Sequence, residues 1–242
     1  MKLLPVVVIA LLQTPVAGAG WFVDGETGMG WSLYNDVRVP GDTGSDISLT
    51  EDLDADPALF FRLRCGISSG RSEISLFAAP LRIESNGTVE EDVIFDGTTF
   101  PGGTDVSADY RFDSYRLTYR YAVVDREGLR VCLGASAKMR DASIRLEGGG
   151  LSASTENTGF VPLVSFGLDW RASGPVHLLL DGDALAGPVG RAEDVFAGLG
   201  WAFDPGARLT MGWRFLEGGA DVDQSRNFTM VSFAALGFRL LL

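Results

Sequence analysis

Apolar and polar side chains change places at every step along much of this chain, the period of two that belongs to extended strands. Leu59, Phe61, Leu63, Cys65 and Ile67 fall on one side, with Phe60, Arg62, Arg64 and Gly66 on the other. Tyr115, Leu117, Tyr119 and Tyr121 alternate with Ser114, Arg116, Thr118 and Arg120, and Leu129 to Ala137 alternate with Arg130 to Lys138. The stretches Phe160 to Trp170, Val195 to Phe203 and Leu209 to Phe215 behave in the same way. No long segment carries a helical period. The pattern predicts ten strands, near 28–38, 57–67, 72–84, 109–123, 129–145, 158–171, 175–186, 193–203, 207–217 and 227–242. An even number brings both ends of the strand array to one side. Eight strands is the alternative, because residues 20–38 and 72–84 alternate poorly.

Connections between these strands alternate in length. Ser68-Ser69-Gly70-Arg71, Asp125-Arg126-Glu127-Gly128, Ala172-Ser173-Gly174-Pro175 and Asp204-Pro205-Gly206-Ala207 read as tight turns. Longer links, Pro40 to Asp56 and Ser85 to Ala108 above all, are expected at every other junction. Tight turns at one end and long loops at the other are the signature of a transmembrane antiparallel up-and-down β-barrel, with periplasmic turns and extracellular loops. A soluble barrel or sandwich shows the same alternation but buries its apolar face. Three features favour the membrane. Tyr119, Tyr121, Trp170, Trp201 and Phe203 cluster on the apolar face near the short turns, where an interfacial girdle belongs. The opposite face carries Arg62, Arg64, Arg116, Arg120, Arg130, Asp169, Asp181, Asp183 and Arg214, expected to form a paired charge network in a mostly plugged lumen. The last strand, with Phe238, Leu240 and Leu242 on one side and Arg239 on the other, alternates up to the final residue.

Composition narrows the setting. Residues 1–20 place Lys2 before an apolar run from Leu3 to Leu12 and end in Ala17-Gly18-Ala19, the layout of a secretory signal peptide cleaved after Ala19. The expected organisation is therefore a leader over 1–19 and a barrel domain over 20–242. The apolar run falls short of the about 20 residues a spanning helix needs. Twenty Lys and Arg against 32 Asp and Glu give a net charge of −12, which argues against nucleic acid as a partner. By strand phase Cys65 and Cys132 lie on opposite faces of the wall, so two free thiols are expected.

Gly237, followed by Leu240 and Leu242 at the third and fifth positions beyond it, resembles the terminal-strand signal of bacterial outer-membrane β-barrel proteins. Leu242 stands where many members of that family have Phe, and Ala235 where a polar residue is usual. The resemblance implies an outer-membrane location and recognition by the barrel assembly machinery. It also implies contact with outer-membrane lipid and lipopolysaccharide.

Candidate chemistry is sparse. Outer-membrane barrels include surface proteases and lipid A acyltransferases and deacylases, and the resemblance implies that such enzymes use a His near the extracellular rim. The single His, His177, lies two residues after a short turn, at the periplasmic end of its strand. It shares its phase with Asp181, about 13 Å away along the strand. Asp52, Asp54 and Asp56 alternate like the opening of a calcium loop, but Pro57 replaces the required Gly and no Glu closes the frame. Weak divalent cation binding shared with lipopolysaccharide phosphates is the most they suggest. No catalytic residue, resident metal or cofactor is expected. The reading is a monomeric barrel with a structural or surface-interaction role and acidic extracellular loops. A small ion or solute pore and a surface lipid- or peptide-modifying enzyme are the alternatives.

Overall fold

A computed structural model describes residues 19–187, 190–204 and 206–242, and every regular element among them is a strand. They are β1 (Ala19–Arg38), β2 (Ile47–Ser48), β3 (Asp54–Ala55), β4 (Ala58–Ser69), β5 (Ser72–Ala79), β6 (Arg82–Thr88), β7 (Val93–Phe95) and β8 (Thr98–Phe100). The remainder are β9 (Asp105–Arg126), β10 (Leu129–Gly148), β11 (Leu151–Ser173), β12 (Val176–Gly187), β13 (Gly190–Asp204), β14 (Ala207–Val222) and β15 (Ser225–Leu241). The proposed leader falls on residues 1–18, outside those described, and on Ala19, the first residue of β1.

Ten staves close into a ring. Each pairs antiparallel with its neighbours in chain order, from β4 through β5, β9, β10, β11, β12, β13 and β14 to β15, and β1 closes the circuit between β15 and β4. Strands β5 and β6 form one stave, since both pair with β9. Pro80 and Leu81 interrupt it because proline brings no N–H to the ladder, and the Phe112 N–H bridges the gap by donating to the Leu81 carbonyl at 2.9 Å. The first stave starts at Ala19 instead of near residue 28. Gly20, Gly25, Gly28 and Gly30 blank out its alternation, which is why its first half is poorly legible.

Among the described residues three periplasmic turns are two residues long, with Gly70, Gly128 and Gly174 in the left-handed conformation that such turns require. At the other end only two connections are long, residues 39–57 and 89–104. The expected longer links near 146–157 and 218–226 are instead continuous strand closed by two-residue turns, Gly149-Gly150 among them. Strand β9, at 22 residues, is about 70 Å long at ~3.3 Å per residue, far more than the ~25 Å apolar height of a barrel belt demands.

The surplus length changes character partway up. On β10 the outward side chains are apolar from Leu129 to Met139 and then become Asp141, Ser143, Arg145 and Glu147. The inward ones run the opposite way, from Arg130, Ser136, Lys138 and Arg140 to buried Ile144 and Leu146. Strands β9 and β11 invert at the same level, passing from Tyr115 to Asp113 and from Phe160 to Thr158. Leu129 to Met139 spans ~33 Å along the strand, or ~25 Å once tilted, so the inversion marks the outer edge of the lipid-facing belt. Just above it Arg82 pairs with Asp113 at 2.7 Å and Arg111 with Asp141 at 3.2 Å, a band of charge across β6, β9 and β10.

The two long connections do not stand out in solvent as acidic loops. They fold into the mouth over the apolar upper interior. Leu49, Leu53, Phe95 and Phe100 are no more than 1 % exposed and pack with Ile83, Val106, Tyr110, Ile144 and Leu146. A small hairpin, β7–β8, forms around Asp96-Gly97, both at positive φ as a two-residue turn requires. Main-chain bonds tie the lid together: the Asp96 N–H donates to Val39, Ser45 to Ile94, and Gly41 to Asp223, each at 2.9 Å. The acids stay at the surface between the buried apolar residues Ile47, Leu49, Leu53, Val89 and Val93, with Asp42, Asp46, Glu51, Asp52, Glu90 and Glu91 all exposed.

Candidate functional site

Below the inversion level, every stave turns polar side chains inward, and ring closure brings opposite walls into reach. Asp194 of β13 is the centre. It accepts two hydrogen bonds from Arg62 of β4, at 3.0 and 2.7 Å, one from Arg214 of β14 at 2.7 Å, and a third partner in Arg116 of β9. Arg214 also forks onto Glu26 of β1 with both bonds at 2.7 Å, and Arg116 donates to Asp183 at 2.7 Å. Asp183 takes a further bond from Ser136, which is shared with Thr118. A second layer lies toward the periplasm, where Asp181 accepts from Arg64 at 3.1 and 2.8 Å and from Arg120. The ring of Phe77 fills the space between layers, with the guanidinium carbons of Arg62, Arg64 and Arg116 at 5.3, 5.7 and 4.8 Å from its centroid.

These bonds explain why so much charge is tolerated. A buried guanidinium or carboxylate is costly unless paired, and planar forks satisfy both partners at once. Above the charged layers Phe60 and Phe233 meet edge to face at 4.7 Å, together with Leu216, so polar contents give way to an apolar seal.

Of the residues singled out by strand phase, Arg62, Arg64, Arg116, Arg120, Asp181, Asp183 and Arg214 meet in this network. Asp169 lies nearer the periplasmic rim, where it joins Arg208 and the Nδ1 of His177, the latter at 2.6 Å. The His177 partner is thus the cross-strand Asp169, not Asp181 on its own strand. Arg130 stands apart from the layers: it pairs with Asp125 at 3.2 Å and donates to the Gly70 carbonyl in the neighbouring turn. Strand phase also missed partners. Asp194 had a clear inward phase beside Phe196, whereas Glu26 and Asp24 lie in the glycine-broken first stave. Arg239 reaches Glu73 at 3.2 Å and Asp24 at 3.4 Å, a pairing that exists only because the first and last strands adjoin.

Tyr119, Tyr121, Trp170, Trp201 and Phe203 are all exposed on the outer surface, joined by Trp21, and Trp31 stacks on Trp213 with centroids 6.2 Å apart. Leu240 and Leu242 are exposed beside Phe238, with the Leu242 N–H donating to Trp21 at 2.8 Å. Gly237 faces inward, where a Cβ would come within 2.6 Å of Thr210 Oγ1 and 2.8 Å of the Gly25 carbonyl, so its lack of side chain is a packing requirement. Cys65 is exposed on the lipid side and Cys132 lines the lumen; both are free. Asp52, Asp54 and Asp56 are exposed in the lid without converging, the Asp52 carboxylate accepting the Ser48 N–H at 2.7 Å. Among the described residues no three carboxylate, His or Cys groups gather into a metal site.

No protein-family model matches the chain, and no curated protein sequence does. Solved structures do. The outer membrane protease OmpT of Escherichia coli superposes with a TM-score of 0.62 at 9 % identity, covering 92 % of this chain and 97 % of its own. Neisserial surface protein A follows with a TM-score of 0.40 at 14 % identity, covering 93 % and 99 %. The attachment invasion locus protein of Yersinia pestis gives 0.40 at 13 %, covering 91 % and 99 %. Ring closure, the exposed apolar belt and the OmpT superposition agree, and the chain is a ten-stranded β-barrel of the bacterial outer-membrane type.

Proposed function

We propose that the protein is a closed, non-enzymatic barrel of the outer membrane whose role is structural or one of surface interaction. The observation that carries this reading is the double block of the lumen. Asp194 holds three arginines across the full bore, and a hydrogen-bonded apolar lid fills the mouth above them. A ten-stranded barrel is only slightly wider than an eight-stranded one, whose side chains already fill it. The ring closes on itself through the β15–β1 and β1–β4 ladders and needs no second copy to complete it, which favours a monomer. Bilayer lipid and lipopolysaccharide are the partners of the belt, and the assembly machinery is the partner of the terminal strand during insertion. The acidic surface of the lid disfavours nucleic acid and would meet lipopolysaccharide phosphates only through shared divalent cations.

Conductance tests this directly. The refolded protein in planar bilayers is expected to give no unitary current steps at 1 M salt. Steady single-channel conductance from the wild type would sink the closed-barrel reading and favour a small pore.

A further inference from the structure

The wall is incomplete on one side. Strand β11 pairs with β10 along its whole length, but its ladder to β12 stops at Val164 and Ala184. Pro162, two residues above that point, fits an edge, since proline is confined to strands with one free side. A cavity of 320 Å³ opens where the two strands part, its lining joining the outward-facing Phe160 and Pro162 to Val161, Leu185 and Ala192 of the inward phase. This gap lies at the level of Phe160 and Met139, the top of the lipid-facing belt. Its volume falls at the small end of the range for ligand pockets, about 300–1,000 Å³.

The inner side holds an unanswered charge. Lys138 is 3 % exposed and lines the cavity, yet among the described residues no hydrogen bond or ion pair engages its ammonium, which sits 4.8 Å from the centroid of the Phe112 ring. Arg140, one inward position higher and also lining the cavity, donates from Nη2 to the Asn157 side-chain oxygen, but its buried Nε has no partner and no carboxylate pairs with it. Elsewhere in this lumen, the buried arginines are forked onto carboxylates, so two adjacent cations without one are out of keeping with the rest of the interior.

The geometry points to a binding site for a single-chain amphiphile with an anionic head. The head sits against Lys138 and Arg140, and the acyl chain leaves between Val161 and Leu185 through the gap into the outer leaflet. Head-group selectivity follows from the buried cations, chain selectivity from the apolar gap, and neither requires the lumen to conduct.

Equilibrium binding of radiolabelled dodecanoate, dodecyl phosphate and dodecanol to the full protein in nanodiscs of zwitterionic lipid, with empty discs subtracted, tests the site. Saturable one-to-one binding of an anion is expected, with dodecanol at least tenfold weaker; comparing the two anions separates a fatty carboxylate from a phosphate head. Lys138→Met is expected to lose at least tenfold in affinity. Ala192→Trp, which fills the gap and leaves the cations in place, is expected to abolish binding, with folding of both variants checked by heat-modifiable migration. Absence of saturable anion binding by the wild type, or equal binding of dodecanol, overturns the proposal. So does undiminished affinity in a folded Lys138→Met protein. The wild-type comparison decides alone if either variant fails to fold.

Discussion

Arg62 and Asp194 are 132 residues apart in the chain and meet across the lumen through two hydrogen bonds of 3.0 and 2.7 Å. Because Arg116 and Arg214 converge on the same carboxylate, the two residues are not equivalent. Asp194→Ala leaves Arg62 without a hydrogen-bonded carboxylate and takes one partner each from Arg116 and Arg214, and is expected to cost about 3–5 kcal/mol, the range for breaking a buried pair. Arg62→Met leaves Asp194 with two arginines and is expected to cost less. Urea titration of both variants refolded in lipid vesicles measures the order, and a larger loss for Arg62→Met would contradict the central place given to Asp194.

The lid should fail separately from the barrel. Phe95 is fully buried beneath the mouth, so Phe95→Ala is expected to remove about 3–5 kcal/mol of packing. The loss falls on the lid, whose main-chain bonds are few compared with the ladders. Limited proteolysis from outside should then cut within 89–104 while the barrel keeps its folded gel mobility. Simultaneous loss of both would mean that lid and barrel unfold as one unit.

Acid should loosen one anchor of the lid. Arg38 donates a hydrogen bond to Asp46 and, together with Arg226 at 3.2 Å, holds that carboxyl below the ordinary aspartate value. A depressed carboxyl contributes stability that is present above its unfolded value, about 3.9, and is lost as pH falls through the folded one. The contribution is small because the pair is exposed. Protection factors of residues 41–46, with the intrinsic pH dependence of amide exchange divided out, are expected to be flat from pH 7 to 5 and to fall only below about 4. Protection lost from near pH 6 would implicate some other group.

Depth along a strand should set the penalty for outward charge. Leu117 is mid-belt, so Leu117→Arg is expected to cost about 2–4 kcal/mol, whereas Ser154→Arg, above the inversion on β11, should stay within about 0.5 kcal/mol. Equal costs at the two positions would place the membrane elsewhere.

Ten strands were legible because the period of two survives in β4 and β9 to β15, where large side chains alternate with charged or small ones. What sequence could not show was which charges meet, since Glu26 and Arg214, 188 positions apart, are neighbours only after the ring closes. The lid was hidden by its acids. Reading 89–104 as a solvated loop overlooked Val93 to Phe100, where apolar alternation on both sides of Asp96-Gly97 spells a two-residue hairpin. Inversion of the faces is likewise written in β10, where the odd positions change from Met139 to Asp141, but alternation keeps its period through the change, so periodicity alone does not show it.

That exchange of faces fixes how deep the molecule sits. A barrel with uniform walls can ride up or down as the bilayer thickens or thins. Here a downward shift of one pleat carries Asp141 and Asp113, with their arginines, into hydrocarbon, while an upward shift lifts the Trp170 and Trp201 girdle off the opposite interface. Vertical travel is therefore stopped at both ends, and bilayers of unequal thickness must deform to meet this protein.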